Sequence, residues 1–295
     1  MQWRKPLSSA AGHDDETSSR DKYISLQRVS GSVNDLLQEF NSQWKSYLKH
    51  SYITSQQSNY IKEIKENAGE NGTIIVNIDF AENHTLLKQN EIMQAHWTNP
   101  QAALFTIHLK INKDKHQSMV IISDYLVHDV EFLHAAQGII SDYVVSVYPG
   151  VKQLNYVSDG ATQHFKNNKN ILNLTYHQTD FGIPAVWSFS ATAHGKSAVD
   201  GIGAAVKHRA TKRVLNGNTA DAILTPQELF RFAQQDISIN VFYLSKERIK
   251  HNEKQFGLHG RWSHNKTEGK LSVLFQNMTT CCVLRLCTRL GQSDS

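Results

Sequence analysis

The rhythm of hydrophobic and polar positions changes twice along this chain. Val33, Leu36, Leu37, Phe40, Trp44 and Tyr47 recur every three or four positions, which gathers them on one helix face and predicts an amphipathic helix. A second helix is predicted over Thr54 to Lys65, stopped by the glycines of AGENG at 68–72. The period then shortens. TIIVNIDF (73–80) is a β-branched apolar run and predicts a buried strand that ends near Asp79. ALFTIHLKI (103–111) alternates, as a half-exposed strand does, and SMVIISDYLV (118–127) predicts a third strand. Helical spacing returns at 129–147, through Val130, Leu133, His134, Ile140, Val144 and Val145. Beyond it come a strand at LNYVS (154–158), a helix over 161–177, a strand at AVWSFSAT (185–192) and a helix over 196–215.

The predicted order is β-β-β-α-β-α-β-α. Three early strands form a meander, and strands that alternate with helices then extend the sheet in parallel. This is the order of an RNase H-like α/β fold, a mixed sheet with flanking helices, here with an N-terminal helical appendage. The expected organisation is a polar, disordered segment over 1–30, the appendage over 31–70 and the core over 71–216. An extension of the core follows over 217–280, and an irregular tail over 281–295. Within the extension, Thr225 caps a helix through Gln235 with Pro226 at its first position, and 237–245 is a strand. Residues 246–270 are polar.

Composition narrows the function classes. The chain is 40% hydrophobic and 20% charged, enough to bury a core. With 31 basic and 27 acidic residues, the net charge of +4 permits a nucleic-acid partner without requiring one. The three cysteines, Cys281, Cys282 and Cys287, all fall near the end, so the preceding residues hold no disulfide and no thiolate zinc site. The first residues lack the apolar run of a secretory signal, and no run reaches the roughly 18 apolar residues of a membrane span. The expectation is a nuclear or cytoplasmic protein, neither secreted nor in a membrane. A homo-oligomer is compatible with the sequence.

Three carboxylates stand out by position. Asp79 and Asp159 fall at the ends of predicted strands, and Asp200 near the start of the helix after the next one. In open α/β sheets, sites form beyond the carboxyl ends of strands. Three clustered Asp supply hard oxygen ligands for two Mg²⁺ or Mn²⁺ ions, which in phosphodiester cleavage stand about 3.5–4 Å apart. Each Asp also has a plain structural reading: Asp79 as a strand-end cap, Asp159 as the first residue of an Asp-Gly turn, Asp200 as a solvated helix residue. His194 lies near the proposed site and is a candidate general acid/base or phosphate contact. Lys196 follows it at a predicted helix start, where an anion is favoured. GIGAAV (201–206) lacks the third small residue of a dinucleotide fingerprint and sits inside a helix, where its glycines let the helix pack close. The sequence contains no G-x-S-x-G and no H-E-x-x-H. Lys207, Arg209, Lys212 and Arg213 complement a helix C-terminus, and with Lys166 and Lys169 they can also form a phosphate-facing rim.

NIDFAEN (77–83), HWTNPQAALF (96–105), SDGATQHFKNNKN (158–170), DFGIPAVWSF (180–189) and ATAHGKSAVDGIGAAVK (191–207) together resemble a family of uncharacterised animal proteins. That family has an RNase H-like, DDE/D-transposase-type core, and many copies descend from mobile elements. The resemblance spans about residues 30–245. It implies that Asp79, Asp159 and Asp200 are the metal-binding acids of a DNA strand-cleaving and strand-joining enzyme, with His194, Gly195 and Lys196 matching the family's His-Gly-Lys phrase. Val199 stands where relatives usually carry Cys. No separate DNA-binding module is visible, which suits a truncated or domesticated copy. Two other readings remain open: a non-catalytic RNase H-like module that binds nucleic acid or protein, and a metal-dependent phosphoesterase of small molecules.

Overall fold

A computed structural model describes residues 2–10, 22–87, 99–190, 198–217, 222–267 and 283–284. The chain divides into two compact units, Met1–Ser55 and Gln56–Ser295. In the first, Gln2–Ala10 (β1) and Lys22–Ser30 (β2) pair antiparallel, in a segment whose polar composition predicts disorder. Helix α1 begins there and runs unbroken over Val33–Glu66, so the two predicted helices are one. No Gly or Pro falls within it, and LKHSYI at 48–53, between the two predicted helices, holds nothing that breaks a helical backbone. Ser32 and Asp35 cap its start reciprocally. The Asp35 amide donates to Ser32 Oγ at 3.2 Å, and the Ser32 amide donates to Asp35 Oδ2 at 2.8 Å.

The second unit is built on a mixed sheet. Its strands are Thr73–Thr85 (β3), Gln101–Lys110 (β4), His116–Ser123 (β5), Gln153–Ser158 (β6), Ala185–Phe189 (β7), Asn240–Leu244 (β8) and the two residues Val283–Leu284 (β9). Its helices are Val130–Val147 (α2), Asn168–Phe181 (α3), Ala198–Asn216 (α4), Pro226–Asp236 (α5), Lys246–Gln255 (α6) and Leu258–Thr267 (α7). Among the described residues the strand order is β8-β5-β4-β3-β6-β7-β9. β3, β4 and β5 form the antiparallel meander, while β6 joins β3, β7 joins β6 and β8 joins β5 in parallel. The central order β5-β4-β3-β6-β7, with β4 reversed, is that of the RNase H-like fold.

Strand alternation gives the sheet two buried faces. Ile74, Val76, Ile78, Phe105, Ile107, Leu154, Tyr156 and Trp187 pack on α2 and α3 in one cluster. Ala102, Leu104, Val120 and Ile122 point the other way and pack on Ile202, Val206 and Ala210 of α4 and on Leu229 and Ala233 of α5. Helix α5 opens with the full capping box expected from Thr225 and Pro226: the Thr225 hydroxyl accepts from the Glu228 amide, and Glu228 reaches back.

Two boundaries that differ from expectation bear on the site, and the strands predicted over 118–127, 185–192 and 237–245 are shorter at their ends, stopping at Ser123, Phe189 and Leu244. β3 continues past Phe80 to Thr85 through an irregularity between Ala81 and His84, so Asp79 is inside a strand and not at its end. Helix α3 begins at Asn168, because Asn167 caps it by accepting from the Asn170 amide at 3.0 Å. Residues 161–167 form a turn, from which Phe165 still reaches the core.

Candidate active site: the acidic edge of the sheet

Asn77 and Val157 are the last pair of the β3–β6 ladder. Asp79 follows that pair by two positions along β3, and Asp159 follows it by two positions in the turn just past the end of β6. Asp79 shares a face with Ile75, and Asp159 leaves β6 beside Val157. Ile75 and Val157, two or four positions before them, pack together on the face opposite the α2 and α3 cluster. Beyond Asn77, β3 keeps only β4 as a partner, because β6 ends at Ser158 and the chain turns away. Among the described strands, only β4 pairs with β3 beside Asp79.

Helix α4 lies over the same face. A Cβ at Gly203 would meet Ala81 Cβ at 3.0 Å and Thr106 Cγ2 at 3.4 Å, so glycine is what lets this turn approach. Thr106 is the residue opposite Asp79, and its hydroxyl donates to the Asp79 carbonyl at 3.1 Å. Asp200 stands one turn before Gly203 on the same side of the helix. The close approach expected of GIGAAV is therefore present, and it carries Asp200 toward Asp79.

The charges register this arrangement. Asp79 is half-buried, and its carboxyl is pushed up from 3.8 to about 6. Burial is the largest cause, followed by the negative charge of Asp159 and then that of Asp200. The hydrogen bond with the Phe80 backbone and the charge of His164 act against them. Asp159 does two things at once. Its Oδ1 accepts from the Ala161 amide at 3.1 Å, the turn reading of Asp-Gly, while its charge reaches Asp79. The turn is held against β7, since Ser158 O accepts from the Ser190 amide at 2.9 Å and a Cβ on Gly160 would come within 3.3 Å of Ser190 O.

Two histidines and an asparagine complete this edge. Asn83, in the irregular part of β3, donates from Nδ2 to Leu126 O at 3.1 Å and so turns Oδ1 toward His128 Nε2 at 2.9 Å. His128 must donate that bond from Nε2. Burial, and next the charge of His164, hold its imidazole below the ordinary value. His164 donates from Nδ1 to His128 O at 3.0 Å, which leaves Nε2 as the ring nitrogen not held by the backbone. The Phe80 ring stacks on His128, with centroids 4.4 Å apart, and lies 5.7 Å from His164. Nothing in the spacing of Asn83, His128 and His164 predicts their meeting; a strand irregularity and two turns bring them together.

The predicted basic residues are spread out. Lys166 stands over the Phe189 ring at 5.8 Å, and Lys169 over Trp262 at 4.1 Å. Arg209 donates from Nη1 to Asp236 O at 2.6 Å. Half-buried Lys207 lies close enough to His84 to help hold that imidazole low, after burial. Lys212 and Arg213 are exposed, more than three helical turns or about 20 Å along α4 from Asp200. The α3 and α4 groups flank opposite faces of the sheet. His194 and Lys196 lie outside the described residues.

The donor set suits hard divalent ions: the charges of Asp159 and Asp200 both act on Asp79, a repulsion that a cation would relieve. Among the described residues, however, no group of three or more His, Cys, Asp or Glu side chains is close enough to hold an ion as placed.

Strand order and acidic edge together define an RNase H-like α/β protein with a carboxylate-bearing rim. The chain belongs to the family described as a domain of unknown function, DUF8701, whose model matches residues 57–272. No curated protein matches it in sequence. Among solved structures it is similar to the human cytomegalovirus terminase nuclease domain, at 12% identity over 77% of this chain and 82% of that one, with a TM-score of 0.23. A Mn-soaked, inhibitor-bound form of that domain aligns at 10% identity over 64% and 76% of the two chains, with a TM-score of 0.21. Likeness at this level carries no argument about this chain, and the fold stands on its own strand order.

Proposed function

We propose that the protein is a divalent-metal-dependent nuclease of the transposase type, which cleaves and rejoins DNA strands at the acidic edge. The observation that carries this reading is the electrostatic coupling of Asp79 to both Asp159 and Asp200. Asp79, Asp159 and Asp200 would hold Mg²⁺ or Mn²⁺. Bound there, such ions would neutralise phosphate charge and lower the pKa of water. Asp159 is oriented by its hydrogen bond from Ala161, which presents the other carboxylate oxygen away from the turn. His164 offers Nε2 for proton transfer near Asp79, because its Nδ1 proton is committed to His128 O. Lys207, on the face of α4 that carries Asp200, is placed to meet a phosphate.

A second reading has its own support. The carboxylates are not gathered at ligand distance among the described residues, as in a module that binds nucleic acid or protein without cutting it. The two separate in one assay. Supercoiled plasmid is incubated with the protein and Mg²⁺ or Mn²⁺, and nicked product is followed over time. The parent nicks, and Asp79→Asn, Asp159→Asn and Asp200→Asn each lose at least the roughly 10–100-fold in rate that changes to residues merely supporting a metal ligand cost. Binding of DNA with no metal-dependent nicking by the parent would overturn the nuclease and leave the binding module.

A further inference from the structure

Helix α1 presents an apolar stripe that the nuclease reading does not use. Val33, Leu37, Phe40, Trp44, Tyr47 and Leu48 are each 42–58% exposed, although they are among the largest apolar side chains of the helix. Isolated exposed hydrophobics are ordinary, but a continuous row of six is not. The row is also ordered. Phe40 stacks on Trp44 with centroids 4.8 Å apart, and Trp44 on Tyr47 at 5.6 Å.

Val33, Leu37, Phe40, Trp44 and Tyr47 follow a strict four-three alternation, the spacing that keeps a seam facing a partner helix. The seam's immediate flanks are Asn34, Leu36, Asn41, Gln43, Leu48 and His50, none of them acidic or carrying Lys or Arg. Asp35, Glu39, Lys45 and Lys49 all fall away from it. A second copy brings identical charges, so flanks free of them remove the main obstacle to self-pairing. The mixed signs on the far side do not suit the Lys/Arg-rich polar face of a helix that lies on a membrane, and an uncharged seam does not suit phosphate. Six large side chains, about half exposed, amount to on the order of 600 Å² per helix, so pairing two copies removes about 1,200 Å² from water. That reaches the lower range of a specific interface.

We propose that the stripe from Val33 to Leu48 is a homodimer interface, on which a second copy of this chain docks helix against helix. This goes beyond the nuclease reading and does not depend on it. The test uses the full chain, with mass measured by sedimentation equilibrium between about 1 and 100 μM. The parent is expected to be a dimer over most of that range. The double variant Leu37→Glu with Trp44→Glu is expected to be a monomer, its dissociation constant raised more than 100-fold, with unchanged far-ultraviolet dichroism and an unchanged main melting transition. Ser42→Glu, on the far side of the helix, should remain dimeric. A parent that is monomeric at 100 μM, a double variant that stays dimeric, or a Ser42→Glu protein that dissociates as readily as the double variant would each overturn the interface.

Discussion

Two clusters of charge in the second unit differ in how they are compensated. At the junction of α2, α3, α6 and α7, Asp180 is 4% exposed and fully answered. Arg261 donates to both its oxygens, at 2.7 and 3.0 Å, and His134 Nε2 lies 3.0 Å away. His134 Nδ1 in turn meets Asn252 Oδ1 at 2.8 Å, and Arg261 lies over the Tyr176 ring at 4.2 Å. Burial pushes the Asp180 carboxyl up, but the hydrogen bonds and charges of His134 and Arg261 outweigh it, so the net direction is down. At the acidic edge Asp79 has carboxylates for neighbours, and the net direction is up, to about 6. The first cluster joins four helices and leaves nothing for a ligand to do. At the second, burial and two neighbouring carboxylates outweigh the Phe80 backbone and His164, which is where a cationic ligand gains most.

The largest expected effect breaks the compensated cluster. Asp180→Ala leaves Arg261 and His134 without their acceptor, and removing one partner of a buried pair costs about 3–5 kcal/mol. Denaturant titration of parent and variant at pH 7 checks this, and a loss under about 1 kcal/mol would mean that the network holds nothing together. At the other cluster the sign reverses. Asp79 binds its proton more tightly folded than unfolded, so its contribution to stability is full below about 3.8 and is lost as pH rises through about 6. In metal-free buffer, Asp79→Asn should therefore gain on the parent as pH climbs from 4 to 6. The gain should level off near pH 7, on the order of 1–3 kcal/mol once solvent screening of a half-exposed group is allowed for. A difference that does not vary with pH would break the contrast. Asp180 behaves oppositely: its contribution is present above the ordinary carboxylate value and lost as acid protonates it.

The fold was legible where burial dictates pattern. β3, β6 and β7 are covered on both faces and read as apolar runs, and Thr225, Pro226 and Glu228 announce α5 by side-chain chemistry alone. α6 and α7 were hidden because they bury so little: Ile249 in one, Leu258 and Trp262 in the other, amid charged residues. The break predicted within α1 came from reading two stretches separately, and nothing in LKHSYI between them stops the helix. At the site, the places of Asp159 just past a strand and of Asp200 near a helix start were legible, whereas β3 runs on past Asp79, which the sequence puts at a strand end. The roles of Asn83 and His164 were not legible, because an irregular strand and a turn place them, and neither leaves a periodic trace.

The proposed function requires that Asp79, Asp159 and Asp200 form one cation site. The most direct test is the thermal melting of parent and Asp159→Asn with and without Mn²⁺, at matched ionic strength. A ligand that binds only the folded state stabilises it, by about 2.7 kcal/mol at 100 times its dissociation constant. The account predicts that the parent's melting temperature rises by about 5 °C or more under those conditions. Asp159→Asn should shift by less than half as much, and its own melting temperature without metal should equal or slightly exceed the parent's. Equal Mn²⁺ shifts in the two proteins, or none in either, would contradict it.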